Sequence, residues 1–338
     1  MTEPAGAASQ PGTAVAEQPQ PERRLHDQLV LVTGAAGFVG AHVCRHLTER
    51  GARVRALVRS PAKAAERLAP MPVELHVGDV RDAMVMQRAM HGCDAVVHLA
   101  AIAIERPGQT YEDVNVRGTE CVLGAMRATG VRRLIHMSQN GASSSLPYRF
   151  LRSKGLAENA VRASGAHWTA LRPSVIFGPE DEFVNVLARL VRLSPLIYPL
   201  PGGGTARFQP IAVDDVAHVV AATLAESDTI RQAYALGGPA QLTLRQMVER
   251  VLVAMDAKRF LVPVPTVLLR PLIALAQRIL PNPPVTTELL DLLKLDNVVE
   301  GNALRDVFGI VPTPFAPEEL AYLEGITARE ALRSLLGR

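Results

Sequence analysis

The chain has 338 residues, enough for one large or two small domains, and 48% of them are hydrophobic, which predicts a globular protein with a substantial core. The formal net charge is only +3, and no basic run is interleaved with aromatic residues, which argues against nucleic acid as a partner. Cys44, Cys93 and Cys121 are scattered without metal-ligand or redox spacing, so no metal site is expected.

The start of the chain differs in composition from the rest. Residues 1–26 are rich in Ala, Pro, Gln, Glu and Gly and contain no aromatic residue, which is typical of a disordered leader. Glu3, Glu17 and Glu22, together with the absence of an apolar run, argue against a secretion signal. The scattered cysteines predict reduced thiols, which also argue against secretion. We therefore expect a cytoplasmic protein.

One segment bears on contact with a membrane. No uninterrupted apolar stretch of about 18 residues occurs, so no spanning helix is predicted. The nearest approach, Val262 to Leu280, is interrupted by prolines and arginines. It is either an amphipathic helix packed on its own domain or a surface that docks on a membrane or a membrane complex, peripheral to the inner membrane.

A glycine-rich turn follows the first apolar segment. Leu29–Val32 predicts a buried strand, and Gly34, Gly37 and Gly40 precede a helical pattern. Gly34 permits a tight turn, Gly37 leaves room for phosphates, and Gly40 lets the helix pack closely on the strand. Free N–H groups and the positive end of the helix dipole would then face a pyrophosphate. The expected cofactor contacts at this turn are Gly34, Ala36, Gly37, Phe38 and Val39.

Predicted strands and helices alternate from residue 28 onwards. The strands lack strict polar alternation, as expected when helices cover both faces of a parallel sheet. The predicted strands are Leu29–Val32, Arg53–Val58, Val73–Val77, Ala95–Leu99, Arg133–Met137 and Thr169–Leu171, and the predicted helices cover residues 38–50, 61–68, 82–90, 109–129 and 148–164. The pattern predicts an α/β fold with a Rossmann-type doubly wound parallel sheet. Residues 27–178 would form the dinucleotide-binding core, and residues 179–338 would complete the sheet and form a smaller C-terminal substrate-side region.

The end of the second predicted strand bears on the choice of cofactor. A carboxylate there hydrogen-bonds the ribose 2′-hydroxyl of NAD(H), whereas an arginine accommodates the 2′-phosphate of NADP(H). This chain has Arg59 and Ser60, with Lys63 close behind and no carboxylate. We favour NADP(H), because Arg59 can bind a phosphate with paired, charge-assisted bonds. The alternative is that Arg59 and Lys63 are simply solvated residues at a helix start.

Two further strand ends supply candidate contacts. Asp79, just past the third strand, would hydrogen-bond the adenine amino group while Val80 packs on the ring; alternatively, Asp79 caps the helix that begins near Asp82. Ala100 and Ala101 follow the fourth strand, and their small side chains would let the cofactor pass; alternatively, they reflect only helix or turn propensity.

Together these segments resemble the extended or atypical short-chain dehydrogenase/reductase superfamily, which includes NAD-dependent epimerases and dehydratases. The resemblance covers about residues 28–240 and is carried by Thr33-Gly34-Ala-Ala-Gly37-Phe-Val-Gly40, Gly78-Asp79-Val80, His98-Leu-Ala-Ala101, Asn115-Val-Arg-Gly-Thr119, Ser153-Lys154 with Glu158, Leu171-Arg-Pro173 and Val213-Asp-Asp215-Val. Segments such as Gln209-Pro-Ile-Ala-Val213 and Pro312-Thr-Pro314-Phe315 look like bacterial relatives of the nucleotide-binding accessory subunit of mitochondrial complex I. That resemblance implies a tightly held NADP(H) with a structural or regulatory role.

The residue expected to carry the chemistry is missing. The superfamily uses a Tyr four residues before a Lys, a spacing that places both side chains on one face of a helix. Lys154 fits the Lys by its context, but Phe150 stands at the Tyr position and has no hydroxyl to donate a proton. Lys154 is therefore either an anchor for the nicotinamide ribose, which we favour, or half of an acid–base pair without its partner.

Other side chains are candidates for the lost functions. Tyr148 lies two residues before Phe150, and two residues turn a helix by about 200°, so on a regular helix Tyr148 would face away from the nicotinamide. It can reach the nicotinamide only if it lies in the first turn of the helix or before it. Otherwise it is a partly buried aromatic near the cleft. Gln139 or Asn140 falls where the residue that polarises the substrate is expected, and either amide could hydrogen-bond a carbonyl. By the resemblance alone, further cofactor contacts are expected from Asn115, Ser138, Pro173 and Val175.

Three functions follow from these residues. The first is an NADP(H)-binding protein whose cofactor is structural, linked to respiratory complex I or to quinone metabolism. The second is an active NAD(P)-dependent reductase, epimerase or dehydratase with a displaced proton donor. The third is a regulator in which the redox state of the nucleotide alters a partner surface. The substrate is not predicted, although Asn185, Arg207 and Gln209 are offered as its polar contacts.

Overall fold

The computed structural model describes residues 25–281 and 283–336. Of the predicted leader, residues 1–24 lie outside the described residues. The strands of the described chain are β1 Leu29–Thr33, β2 Arg53–Val58, β3 Val73–Val77, β4 Ala95–His98, β5 Arg133–Met137, β6 His167–Pro173, β7 Ile176–Phe177, β8 Ile197–Pro201, β9 Arg207–Phe208, β10 Ile211–Ala212, β11 Gln232–Leu236, β12 Leu242–Thr243 and β13 Phe260–Val264. Seven of them form one sheet in the order β11-β6-β5-β4-β1-β2-β3, in which every neighbouring pair is parallel.

The helices alternate with the strands of this sheet. They are α1 Phe38–Glu49, α2 Pro61–Leu68, α3 Ala83–Met90, α4 Gly118–Thr129, α5 Arg149–Ala163, α6 Val184–Leu193, α7 Val213–Ala225, α8 Leu244–Ala254, α9 Thr266–Ile279, α10 Thr287–Leu292, α11 Ala303–Asp306 and α12 Ala328–Leu335. The chain order reverses where β1 lies between β4 and β2, and ligands of such sheets bind beyond the carboxyl ends of the strands at this point. The predicted doubly wound fold is confirmed.

The sheet is buried on both faces, which explains why its strands lack polar alternation. In β1, Val30 and Val32 point into the core shared with α1 and α7, whereas Leu29 and Leu31 point into the core shared with α3 and α4. Successive side chains of a strand face opposite sides, so a strand with two apolar cores must be apolar at every position. The sequence pattern at β1 therefore follows directly from the layer architecture.

The C-terminal half completes the sheet and adds a second core. Strand β11 forms the seventh strand beside β6, with Gln232 opposite Thr169. Residues of α6, α8 and the 3₁₀-helix Pro317–Leu323 form a separate cluster of buried side chains. Within it the rings of Phe177 and Phe315 meet edge to face, with centroids 5.0 Å apart. This lobe lies beyond the carboxyl ends of β5 and β6, where Asn297 contacts Asn140.

Two helical segments differ from what the sequence pattern indicated, one in its helix type and the other in its burial. The predicted helix 109–129 is divided into a π-helical turn, Glu112–Arg117, followed by α4. Such turns are rare and occur often at functional sites. Helix α9 contains Pro271 and buries none of its residues. Within the described part of the chain, no helix is long and apolar enough to cross a membrane.

Candidate dinucleotide site and the position of the missing tyrosine

The glycine turn has the geometry that a close phosphate approach requires. Gly34 has φ of +71°, a value that favours glycine, and a Cβ there would lie 2.9 Å from Ala100 N. A Cβ at Gly40 would lie 2.1 Å from Gly34 O, so only glycine lets α1 pack this closely on the turn. At Gly37 the nearest atom to such a Cβ is Gly34 O at 3.0 Å. The three glycines therefore shape the turn and leave one side of it open.

The amino end of α1 faces the open side of this turn. Gly37 is the N-cap, no side chain caps the helix, and no acidic residue lies in its first turn. The first N–H groups of α1 are therefore available to an anion, which the helix dipole also favours. A cavity of about 410 Å³ lies here, lined by the turn and by the ends of β2, β3 and β4. These features fit the pyrophosphate and adenosine of a dinucleotide.

The cavity wall at the end of β2 carries the predicted basic residues. Arg59, Ser60 and Lys63 all line the cavity. Ser60 also has a structural role, because its Oγ accepts a 3.4 Å hydrogen bond from Lys63 N and caps α2. Arg59 is exposed, and its Nη1 donates a 3.0 Å hydrogen bond to Gln109 Oε1.

Asp79 lies at the cavity as predicted, but it is paired with an arginine that sequence analysis missed. Arg81 donates to Asp79 through Nε and Nη2, both at 2.9 Å. These hydrogen bonds hold the pKa of Asp79 below its ordinary value. The alternative that Asp79 caps the next helix is wrong, because Asp82 accepts hydrogen bonds from Met84 N and Val85 N and is the cap of α3.

The other predicted residues of this half also line the cavity. Ala36, Phe38 and Val39 form its floor with the glycine turn, Val80 closes the side beside β3, and Ala100 and Ala101 follow β4. Glu182, which lies between β7 and α6, reaches the same cavity and was not predicted as a cofactor contact.

Lys154 is buried below the carboxyl end of β5. Its Nζ donates a 2.6 Å hydrogen bond to Met137 O. Burial lowers the pKa of Lys154 to about 8, although the Glu158 carboxylate opposes this shift.

Asn115 lies in the π-helical turn and joins α5 to the segment after β4. Its Nδ2 donates to Ser153 Oγ at 3.0 Å, and its Oδ1 accepts from Ile102 N at 2.9 Å.

A buried polar layer surrounds Lys154. His98 has Nδ1 2.8 Å from Thr33 Oγ1 and Nε2 3.0 Å from Thr119 Oγ1. Burial, with Lys154 as a second cause, lowers the pKa of His98 to about 3. His136 lies opposite His98 on β5, and neither of its ring nitrogens has a hydrogen-bond partner among the described residues. Burial, with Lys154 and His98, holds its pKa well below the ordinary value.

Phe150 occupies the first turn of α5, four residues before Lys154. Its N–H donates a 2.8 Å hydrogen bond to Glu288 Oε1 in α10, and its ring lies 5.8 Å from the ring of Tyr111. Burial and the nearby Glu288 and Glu105 carboxylates raise the pKa of Tyr111. Tyr148 is the N-cap of α5, half-buried, with extended backbone angles. It therefore lies just before the first turn, the position that sequence analysis required of it.

The amides expected to polarise a substrate are engaged by backbone and side-chain groups. Gln139 Nε2 donates to Pro173 O at 3.2 Å. Asn140 Nδ2 donates to both Asn297 Oδ1 and Val298 O at 2.9 Å, so it ties β5 to the C-terminal lobe. Asn140 uses both N–H donors of its amide within the protein, so a substrate carbonyl would have to displace one of these bonds, whereas Gln139 uses one of its two.

Ser138, Pro173 and Val175 lie at the carboxyl ends of β5 and β6. Ser138 is buried, and its N–H donates to Leu171 O at 2.8 Å. Burial by itself would raise the pKa of Glu158, but hydrogen bonds from Arg172 and Arg162 outweigh it and the pKa lies below its ordinary value. Pro173 ends β6, and Val175 packs against the second core.

The three polar residues offered as substrate contacts have structural partners. Asn185 Nδ2 donates to Asp181 Oδ2 at 2.9 Å, Gln209 Nε2 donates to Gly238 O at 2.9 Å, and Arg207 pairs with Asp296 at 2.6 Å. Asn185 and Gln209 are also buried. These two side chains hold the C-terminal lobe together.

The fold and the cavity define a Rossmann-type nucleotide-binding protein. Residues 34–227 match the NAD(P)H-binding family, and the chain belongs to this family within the short-chain dehydrogenase/reductase superfamily. A nicotinamide dinucleotide is accordingly its cofactor class.

Two relatives of this chain have different functions. The chain is 30% identical to 2-alkyl-3-oxoalkanoate reductase of Stenotrophomonas maltophilia, over 88% of this chain and 99% of that protein. It is 32% identical to NADH dehydrogenase (ubiquinone) 1 alpha subcomplex subunit 9, mitochondrial, of Arabidopsis thaliana, over 64% of this chain. The chain spans only 56% of the length of that subunit. Similarity therefore extends both to an enzyme and to a subunit of a respiratory complex.

Solved structures share the fold. NADPH-dependent quinone oxidoreductase of Escherichia coli, complexed with NADPH, matches with a TM-score of 0.70 at 20% identity, over 86% of this chain and 98% of that one. UDP-glucose 4-epimerase of Thermus thermophilus, complexed with NAD, matches with a TM-score of 0.67 at 23% identity, over 90% of this chain and 99% of that one.

Proposed function

We propose that this protein binds NADP(H) and retains it in a structural or regulatory role, at the surface of a membrane or of a membrane complex linked to respiration or quinone metabolism. The observation that carries the proposal is Phe150. It stands four residues before Lys154, where a phenol would donate the proton, and its surroundings are Tyr111 and Glu288. Lys154 keeps its buried position and would anchor the nicotinamide ribose without acting in proton transfer.

The charges at the adenosine end support NADP(H) over NAD(H). Arg59 and Lys63 line the cavity, and the carboxylate of Asp79 is neutralised by Arg81. A 2′-phosphate would therefore meet an excess of positive charge. Arg59 can bind it with two charge-assisted hydrogen bonds while keeping a third for Gln109, because a guanidinium has five N–H donors.

The test compares the affinities of NADPH and NADH for the unaltered protein and for Arg59→Ala. We expect Arg59→Ala to weaken NADPH binding about 10- to 100-fold, the value of a hydrogen bond to a charged group, and to leave NADH binding nearly unchanged. Arg88→Ala, an exposed arginine of α3, is the matched control. Tighter binding of NADH than of NADPH by the unaltered protein would refute the NADP(H) assignment.

The surface of α9 supports the proposed membrane contact. Val267, Leu272 and Ile279 are 78%, 66% and 67% exposed, and Leu268 and Leu275 lie on the same stripe of the helix. Phe260, in the adjoining strand β13, is 75% exposed. Apolar patches of this kind mark interaction surfaces, and the exposed Arg278 on the same stripe favours a bilayer of anionic lipids.

Co-sedimentation with anionic phospholipid vesicles tests this contact. We expect the unaltered protein to bind, and the double variant Leu272→Glu/Leu275→Glu to lose binding. Leu332→Glu, an exposed leucine of α12, is the control. Equal binding by all three proteins, or none by the unaltered protein, would contradict a lipid contact through α9.

An active reductase, epimerase or dehydratase is the second candidate. The nearly complete alignment with 2-alkyl-3-oxoalkanoate reductase favours it, as does the position of Tyr148 just before α5. In that case Tyr148 would supply the proton. Turnover of a 2-alkyl-3-oxoalkanoate that is lost in Tyr148→Phe would support this candidate, whereas a tightly held nucleotide that neither carbonyls nor quinones oxidise would support the first.

A further inference from the structure

A tight turn lies at the adenosine end of the cavity, between β4 and the π-helical turn. Arg106 and Gln109 exchange backbone hydrogen bonds, with Arg106 N to Gln109 O at 3.1 Å and the reverse bond at 2.9 Å. Pro107 and Gly108 form the corner, and Gly108 has φ of +74°. Proline followed by glycine with positive φ is the signature of a type II turn, so the turn is stiff.

Two arginines, which follow β2 and β3, hold the tip of this turn. Arg59, after β2, donates from Nη1 to Gln109 Oε1 at 3.0 Å. Arg81, after β3, donates from Nη1 to Gly108 O at 2.9 Å. The guanidinium of Arg81 is itself fixed by two hydrogen bonds to Asp79. The tip is thus attached to both strand ends that border the adenosine site.

The other end of the same segment is attached to the start of α5. Arg149 pairs with Glu105, with Nη2 to Oε1 at 2.8 Å, and Tyr111 N donates to Glu105 Oε1 at 2.9 Å. The Arg149 guanidinium also lies 5.8 Å from the centre of the Tyr111 ring, which in turn contacts Phe150. Residues 103–111 therefore connect the adenosine end of the site with the helix that carries Phe150 and Lys154. We call this segment the strap.

We propose that the strap closes over the bound dinucleotide and that Gln109 is a positioning residue, which holds Arg59 against the 2′-phosphate. This inference rests on the proposed binding of NADP(H). The hydrogen bond to Gln109 occupies one Nη1 donor of Arg59 and leaves the others for the phosphate. A phosphate bound to Arg59 then lies against a guanidinium that Gln109 holds in place, so the link between Arg59 and the strap slows the release of NADP(H).

The strap also gives a reason for NADP(H) to be retained longer than NAD(H). NAD(H) has no 2′-phosphate and makes no bond to Arg59 at this position, so the state of Gln109 has little influence on its release. An effect of Gln109 on NADPH alone therefore separates positioning of Arg59 from a general structural role of the turn.

The experiment measures the rates at which NADPH and NADH dissociate, by displacement of the fluorescent reduced nucleotide. We expect Gln109→Ala to speed NADPH release about five- to tenfold, as the loss of one hydrogen bond of ordinary strength predicts, and NADH release less than about twofold. Gln109→Glu keeps a partner for Arg59 but repels the phosphate, and it should also speed NADPH release. Gln241→Ala, an exposed glutamine outside the cavity lining, is the control.

Hydrogen exchange supplies a second measurement. Addition of NADPH should slow amide exchange across residues 103–111 more than addition of NADH does, and Gln109→Ala should remove the difference. Unchanged NADPH release from Gln109→Ala, or equal acceleration for both nucleotides, would overturn the strap while leaving NADP(H) binding intact. An unaltered protein that binds neither nucleotide would overturn both proposals.

Discussion

The backbone N–H of Phe150 donates a 2.8 Å hydrogen bond to the side chain of Glu288, which lies 138 positions later in the chain. A carboxylate at the first turn of a helix is favoured by the free N–H groups and by the helix dipole. The bond fixes α10 against the start of α5, where the superfamily resemblance expects a phenol. The carboxyl edge of the sheet is thus covered by the C-terminal lobe at the position of the missing tyrosine.

Replacing Phe150 by tyrosine tests the position assigned to this residue. We expect Phe150→Tyr to produce slow NADPH-dependent reduction of 2-alkyl-3-oxoalkanoates, because a hydroxyl four residues before Lys154 can donate a proton while the nucleotide donates hydride. A general acid contributes about 10²–10⁴-fold in rate, so a gain of about 10²-fold over the background is expected. The rate is followed by the loss of the absorbance of the reduced nicotinamide as NADPH is oxidised. Phe150→Leu is the control, and equal rates for the two variants would show that the position is misassigned.

The glycine turn predicts two different outcomes for two alanine substitutions. Gly40→Ala should destabilise the protein by about 1–3 kcal/mol or more, because the added Cβ would overlap a rigid backbone oxygen. Gly37→Ala should cost less stability than Gly40→Ala, because its Cβ would lie 3.0 Å and not 2.1 Å from Gly34 O, and it should weaken nucleotide binding, because the methyl group would stand where the phosphates approach. Urea denaturation and NADPH titration measure the two effects. A stable Gly40→Ala protein would contradict the close packing of α1.

Lys154 predicts opposite effects on stability and on binding. Its folded pKa of about 8 lies below the ordinary 10.5, so burial of the charge opposes folding below pH 8. Between pH 8 and pH 10.5 the unfolded chain holds more protons than the folded protein, so the free energy of unfolding rises with pH. Lys154→Met should therefore raise stability near pH 7 by about 1 kcal/mol, remove the rise at alkaline pH, and weaken NADPH binding. Lower stability with unchanged NADPH affinity would show that Lys154 is a structural residue.

We expect the buried His136 to lower the free energy of unfolding at acid pH. Its folded pKa lies well below 6.5, so the unfolded chain takes up a proton that the folded protein does not, and stability falls as the pH falls below 6.5. His136→Leu should reduce this fall by up to about 1.4 kcal/mol per pH unit and raise stability at pH 7 by about 1 kcal/mol, because two unpaired nitrogens are removed. Urea denaturation between about pH 4 and pH 7.5 measures both effects over the range where histidine titrates. His91→Gln, an exposed histidine, should leave the slope unchanged; an unchanged slope in His136→Leu as well would contradict the buried neutral state.

Local sequence patterns were sufficient for most of the sheet. The predicted strands β1, β2, β3 and β5 agree with the structure to within one residue at each end, whereas β6 begins two residues earlier, at His167. Apolar runs and glycine spacing report local backbone geometry and two-sided burial, which neighbouring residues determine. The split of the helix at 109–129 was missed, because a π-helical turn has no distinct apolar periodicity.

Local sequence patterns could not predict which side chains pair with the residues of the candidate site. That Arg81 pairs with Asp79 required side-chain geometry, although the two residues are only two positions apart. Contacts such as Arg59 with Gln109 and Asn140 with Asn297 join segments separated by 50 and 157 positions. No local propensity encodes such a pairing, since it depends on how the layers pack.

The sequence by itself determined the strand–turn–helix unit that can receive a pyrophosphate, and it determined that Phe150, which has no hydroxyl, stands four residues before Lys154, because both depend on residue type at fixed spacing. Only the tertiary structure decided what surrounds these residues. It buried Lys154 beside His98 and His136, placed Glu288 at the start of α5, and linked Gln109 of the strap to Arg59 at the cavity. These contacts arise when distant segments are packed into one core, where burial and charge pairing act only after the chain has folded.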